Sequence, residues 1–218
     1  LFPLFAPKIW HHSFGKITAA WTLLFLIPLT IVYGAGEAVH TVAHAIIAEY
    51  IPFILLLWAL FTVSGGILVK GNIHGSAKTN TIILALGTVL ASLMGTTGAA
   101  MLLIRPLLRA NDNRKHQVHV VVFFIFLVAN IGGGLTPLGD PPLFLGFLKG
   151  VDFMWTVEHM ALPVFISSVI LLVVFYALDS HYWRKETERK RVDPTPDSKI
   201  SISGKLNFVW LLGIIAAV

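Results

Sequence analysis

The chain of 218 residues has no cysteine, so disulfides play no part in its stability. Charge is scarce as well: 12% of positions are Asp, Glu, Lys or Arg, where a soluble domain carries about a quarter. The ten-residue alternating pattern of membrane strands is missing, which excludes an outer-membrane type of barrel. The opening residues LFPLFAPKIWHHSFGK have no initiator Met and lack the charged-then-apolar order of a signal peptide. A net charge of +5 could suggest nucleic acid, but Lys and Arg fall in short loops between apolar runs, and the run RKETERKR attracts anionic lipid at most.

What is present is hydrophobic. Apolar residues fill 56% of the chain, in repeated runs of nearly twenty. Lipid offers no water to backbone groups, so such runs are read as membrane helices. The expected fold class is therefore an all-α integral membrane protein with several spans and the lipid bilayer as its partner. Spans are expected at residues 17–33, 51–69 and 161–178, with a short interfacial helix over 34–50. Residues 80–94 and 99–108 form two arms of roughly 22 and 15 Å at 1.5 Å per residue, short of a core about 30 Å thick. They predict a re-entrant hairpin (80–108) turning at Gly95, Thr96, Thr97 and Gly98. Residues 118–149 form a long apolar segment interrupted by GGGLTPLGDPP, a broken transmembrane helix. Residues 1–179 thus make a first membrane repeat, 180–205 a basic connector, and 206–218 the start of a further helix. The chain is expected to be the first half of a larger carrier, with no repeat inside it.

Parity orients this map. With the N-terminus inside, loops 70–79, 109–117 and 180–205 are cytoplasmic, and fifteen of the sixteen Lys and Arg lie on that side, leaving only Lys149 outside. The Trp residues mostly fall near span ends, as an aromatic belt requires.

The interruptions carry the functional expectation. Unwound backbone is tolerated at membrane depth where it lines a cavity, and its carbonyls suit a hard cation such as Na⁺. Thr96, Thr97 and Thr136 add hydroxyl oxygens, and the half-helix starting at Pro141 aims N–H groups at the break. Of eleven acids, Asp140 alone lies at expected membrane depth, the other ten falling in loops or at span ends. A buried carboxylate takes up a proton or binds a cation, which is what exchange of H⁺ for Na⁺ demands. The alternative is that Asp140 merely caps the next half-helix. Asn130 is a further ligand or a plain interhelical hydrogen-bonding group.

The stretches SLMGTTGAAMLLIRPLLRAN (92–111) and NIGGGLTPLGDPPLFLGFLKG (130–150) together resemble the ion-transporter superfamily. It holds sodium/proton antiporters of the arsenite-permease type, citrate carriers and sodium-coupled dicarboxylate symporters, and the likeness is to its antiporter and citrate-transporter branch, N-terminal half. The resemblance implies an inverted-repeat, elevator-type carrier, commonly a homodimer, in a cell membrane of the prokaryotic inner-membrane kind. It implies a Na⁺ site between a tip (Gly95, Thr96, Thr97, Gly98) and an unwound loop (Gly132, Gly133, Gly134, Thr136, Pro137, Gly139, Asp140), with Asp140, Thr97 and Thr136 as metal-facing groups. Symporters of the superfamily carry Ser-Asn-Thr at the tip and Gly-Thr-Pro-Pro in the loop. Here Gly-Thr-Thr and Gly139-Asp140-Pro141-Pro142 remove an amide and add an acid, which favours cation/proton exchange over binding a small carboxylate such as citrate.

Other features weigh less. Glu37, His40 and His44 share a helical face at spacings that could bind metal, though an interfacial helix produces such spacing by chance. The order E-x-x-H-x-x-x-H is not that of a metalloprotease. Arg105 is read as a snorkelling arginine, and His11, His12, His116 and His119 as interfacial. The reading is a transporter and not an enzyme, with no resident cofactor and Na⁺ and protons as partners. A channel or a membrane-bound binding subunit is the alternative from another class.

Overall fold

The computed structural model describes residues 2–71, 73–186 and 201–217. The chain forms two compact units, Leu1–Pro52 and Phe53–Val218. Five helices are long and apolar enough to cross a membrane: Pro7–Tyr33, Ala35–Gly65, Ala77–Ala110, Val118–Leu135 and Phe153–Lys185.

In the first unit, α1 (Phe2–Phe5) leads into α2 (Pro7–Tyr33), which has Pro7 in its first turn and a kink at Ser13. None of the side chains of α2 is buried. Its threonines hide their hydroxyls instead: Thr18, Thr22 and Thr30 each donate to the carbonyl four residues back, at 2.8–3.0 Å. That is how a polar group is satisfied where lipid supplies no partner. The helix stops at Gly34, where φ is 90°. α3 (Ala35–His44) follows and continues through a π-helical turn, Ala45–Tyr50, into α4 (Ile51–Gly65). The segment expected as a separate interfacial helix over 34–50 is thus the first part of a 31-residue helix. Helical hydrogen bonding runs through the wide turn, so its modest polarity does not end the helix.

The second unit differs from expectation in several boundaries. The span expected to reach Val69 ends at Gly65, and β1 (Leu68–Lys70) follows. This strand pairs antiparallel with β2 (Ser201–Ser203), Leu68 opposite Ser203 and Lys70 opposite Ser201. The last full span starts at Phe153, earlier than residue 161, because the Asp152 carboxylate caps it by accepting the Met154 N–H at 2.8 Å. This helix, α8 (Phe153–Lys185), runs past the expected end at 178. The basic connector thus begins as helix and ends as strand; its middle, with Arg189, Lys190, Arg191 and Lys199, lies outside the described residues. A final helix, α9, covers Leu206–Ala217.

α5 (Ala77–Ala110) is capped by Ser76, whose hydroxyl accepts the Thr79 N–H at 3.1 Å. It leaves helical geometry at Gly95, where φ is 78° and ψ 152°. Residues far apart in sequence meet on either side of that point. The Gly75 N–H donates to the Ala110 carbonyl at 2.7 Å, Asn80 and Asn111 exchange amide hydrogen bonds at 2.9 Å, and a Cβ on Gly87 would lie 2.9 Å from Leu103. The two arms are therefore folded against each other. Of the four expected tip residues only Gly95 leaves the helix, since Thr96, Thr97 and Gly98 begin the second arm. The arms are then longer than expected, about 27 and 22 Å at 1.5 Å per residue.

The segment 118–149 is not one continuous helix. α6 (Val118–Leu127) gives way to a 3-10 turn at Ile131–Leu135, then to non-helical residues up to α7 (Pro141–Leu148). The core of this unit lies where α5, α6, the 3-10 turn and α8 meet, with Leu84, Ala91, Met94, Leu107, Val120, Leu127, Val128 and Phe175 fully buried. Phe165, Ile170 and Val173 of α8 stay exposed. A soluble protein would cover such residues, whereas a lipid-facing helix has no reason to.

Candidate ion-binding site

Gly95 sits where the positive φ that reverses α5 is free of a Cβ penalty. The reversed chain lies against the non-helical stretch after the 3-10 turn. The Thr96 N–H donates to the Gly139 carbonyl at 3.1 Å, and a Cβ on Gly95 would stand 3.3 Å from the Leu138 carbonyl. A Cβ on Gly139 would run into the Gly133 backbone. These contacts clasp the turn of α5 to the loop before α7.

Beside the clasp is a cavity of about 330 Å³, walled by Leu56, Leu60 and Phe61 of α4, Met94 of α5 and Phe144 of α7. Gly95, Thr96, Thr97, Gly98, Pro137, Gly139 and Asp140 line its polar side. Asp140 is the one charged side chain among these described lining residues.

Asp140 occupies the N-cap position of α7, yet its carboxylate makes no capping hydrogen bond. Pro141 and Pro142 bring no N–H to the first turn. The Asp140 backbone carbonyl does accept, from Leu143 at 3.0 Å and Phe144 at 3.3 Å. Backbone starts the helix, and the half-buried carboxylate is left beside the cavity.

The other expected site residues lie behind this surface. Gly132 packs against arm one, where a Cβ would come within 2.6 Å of the Thr88 carbonyl, and Gly133 faces the Thr96 methyl. Gly134 is half-buried beside Val164. Thr136 donates its hydroxyl to the Ser92 carbonyl, and Ser92 donates to the Gly132 carbonyl at 2.5 Å. Asn130 is exposed and donates to the Ile125 carbonyl at 2.7 Å, closing the end of α6. Arg105 is exposed and does not line the cavity. In the first unit, the His40 and His44 rings are 6.4 Å apart and His44 lies 3.7 Å from Glu49. Among the described residues no group of three His, Cys, Asp or Glu converges as metal ligands would.

One cluster escaped sequence reasoning. Asp179, expected at a span end, is inside α8 and fully buried. Its Oδ1 accepts Arg114 at 2.5 Å and His119 at 2.7 Å, and its Oδ2 accepts Asn80 at 2.9 Å. Arg114 also donates to Asn111 at 2.9 Å and lies over the Trp183 ring, 5.3 Å from its centre. Glu186 accepts the N–H groups of Lys115 and His116 at 3.1 Å. Of the two histidines read as interfacial, His116 stacks on Tyr182 with ring centres 5.1 Å apart, and His119 meets the same ring tilted at 4.9 Å. The available signal was that Asn80 and Asn111 are equally distant in sequence from the glycine-threonine turn.

Apolar-surfaced helices with two interruptions folded together beside a lone carboxylate define a polytopic helical membrane protein. Residues 1–218 match the family described as "Putative citrate transport". The chain belongs to that family, and is thereby a membrane transporter. No curated protein and no solved structure matches it.

Proposed function

We propose that the protein is a secondary active transporter exchanging Na⁺ for protons at the cavity beside Gly95 and Asp140. Asp140 carries this reading: a carboxylate without a cap hydrogen bond, on a cavity lined by no Lys, Arg or His among the described residues, suits a cation or a proton. Thr96 and Thr97 hydroxyls, with loop carbonyls, complete the cation shell. In this reading α5 is a re-entrant hairpin, and α6 and α7 are the halves of one broken transmembrane helix. Loops 70–79, 109–117 and the basic connector face the cytoplasm. Gly75 bonded to Ala110, and β1 to β2, favour one shared side for these loops. When Asp140 binds Na⁺ on one side and H⁺ on the other, each crossing exchanges one for the other.

A second reading is favoured by the family's description: cation-coupled transport of citrate or a related carboxylate. An anion beside Asp140 would need accompanying cations, since the lining offers no positive side chain.

The test uses full-length protein in proteoliposomes with an acid-inside gradient and a pH-sensitive dye. Na⁺ alone should collapse the gradient, and Asp140→Asn should be silent. A response that appears only on adding citrate would select the second reading.

A further inference from the structure

Asn80, Asn111, Arg114, His119 and Asp179 form a buried hydrogen-bond network, in which, of the buried atoms, the Arg114 Nε alone has no hydrogen-bond partner among the described residues. Both amides are spent: Asn80 donates to Asn111 and to Asp179 and accepts from Asn111, while Asn111 donates also to the Leu107 carbonyl and accepts from Arg114. All four of Asn80, Asn111, Arg114 and Asp179 are at most 3% exposed. Breaking the bonds of a buried polar network strands its groups away from water, so the amides and the carboxylate favour this arrangement over slipped ones. The amide pair joins one foot of α5 to the residue just past the other, and Asp179 and Arg114 fasten that pair to α8 and to the start of α6.

The register of two helices packed side by side is free to slide by a turn unless something fixes it. Here the packing between the arms is largely apolar, Gly87 against Leu103 among it, and apolar contacts discriminate poorly between registers. The Asn80–Asn111 pair is directional, and its midpoint in sequence falls between Gly95 and Thr96. Sliding one arm by a turn would break both amide bonds and carry the Thr96 N–H off the Gly139 carbonyl. We infer that Asn80, Asn111 and Asp179 are positioning residues for the ion site: they set the register of the two arms and thereby hold the Gly95 turn against Gly139 and Asp140. This rests on the cavity being the transport site, and it assigns the network no contact with the ion.

A charge swap tests it. Asp179→Asn leaves Arg114 facing no carboxylate, and Asn80→Asp sets two carboxylates together. In the double variant, Asn at 179 still offers oxygen to Arg114 and His119 and donates to Asp at 80, which accepts from Asn111 but cannot return the donation that Asn80 makes to the Asn111 oxygen. Each single variant should raise the half-saturating Na⁺ concentration, with a loss of up to roughly 100-fold in efficiency, as small displacements of site groups produce. The double variant, which regains a pairing between positions 80 and 179 but keeps only one of the two amide bonds to Asn111, should return part of the way to the wild-type value.

A second readout does not depend on transport. In the cysteine-free chain, Thr97→Cys places a single thiol beside the turn, and its rate of maleimide labelling is followed in each background. Single variants should change that rate severalfold, and the swap should reverse part of the change. If the variants lose thermal stability but keep the wild-type half-saturating Na⁺ and labelling rate, the network is a fold staple alone and the inference is overturned. If wild type shows no Na⁺ response, the exchange reading fails by itself. Labelling then decides: a change that the swap partly reverses upholds register control, and an unchanged rate overturns it.

Discussion

At Asp140 the backbone and the side chain have separate tasks. The carbonyl begins α7, and the carboxylate makes no cap bond because Pro141 and Pro142 have no amide hydrogens and Leu143 gives its own to the Asp140 carbonyl. Asp140→Asn should therefore leave melting temperature nearly unchanged while abolishing the Na⁺ response. Glycine positions around it behave differently. Gly95→Ala takes on a positive-φ backbone that L side chains rarely adopt, about 1–3 kcal/mol, together with a tight 3.3 Å approach to the Leu138 carbonyl. Gly139→Ala drives a methyl into the Gly133 backbone and should cost more, about 3 kcal/mol or above, since no flexible side chain can yield. Thermal unfolding of the purified protein in detergent ranks the two; equal losses would mean that the clasp relaxes. The Gly-Asp-Pro-Pro sequence inside a long apolar segment made the lone acid legible from its position. The partners of Thr136 and Asn130 were not legible, because a hydroxyl or an amide can bond locally or across the fold, and only the folded neighbours decide.

Among the elements, α5 shows what local pattern reveals and what it hides. A glycine-threonine cluster inside an apolar run marks an interruption, since glycine is disfavoured in helix interiors by about 1 kcal/mol relative to Ala. How far the helix resumes on each side is not marked, and three of the four expected turn residues are helical. Small residues let the arms and α6 approach: Gly87 stands where a Cβ would be 2.6 Å from Val128 and 2.9 Å from Leu103. Gly87→Ala should therefore destabilise by about 1–3 kcal/mol through overpacking. Gly15→Ala in α2, with nothing within 4 Å, should be neutral or slightly stabilising, and paired melting curves separate them. The strands show the opposite limit. Leu68–Lys70 and Ser201–Ser203 are three residues each, too short for a period-two signal, and each is defined by a partner far along the chain. Asp179 was missed for the same reason: its ligands come from 60 to 99 residues away.

For the molecule as a whole, the presence of several long apolar helices was readable because lipid imposes it directly, and the placement of basic residues on one side is the expectation that the same constraint sets. The sidedness that follows is testable by labelling. Single cysteines at Lys70 and Lys185 should react with a membrane-impermeant maleimide from the same side of oriented vesicles, and a cysteine at Lys149 from the other. Labelling of Lys149 together with Lys70 would refute the parity map and the broken-helix reading with it. The strand pair also has a consequence in time. Leu68–Lys70 leaves the ribosome some 130 residues before Ser201–Ser203. At about 5–20 residues per second, that is roughly 7–26 s in which the first strand waits with an open edge. Helices α5 to α8 are all made during that interval, so a translational stall before Ser201 would leave them complete with β1 still unpaired, a form open to pairing with the same edge of another nascent chain.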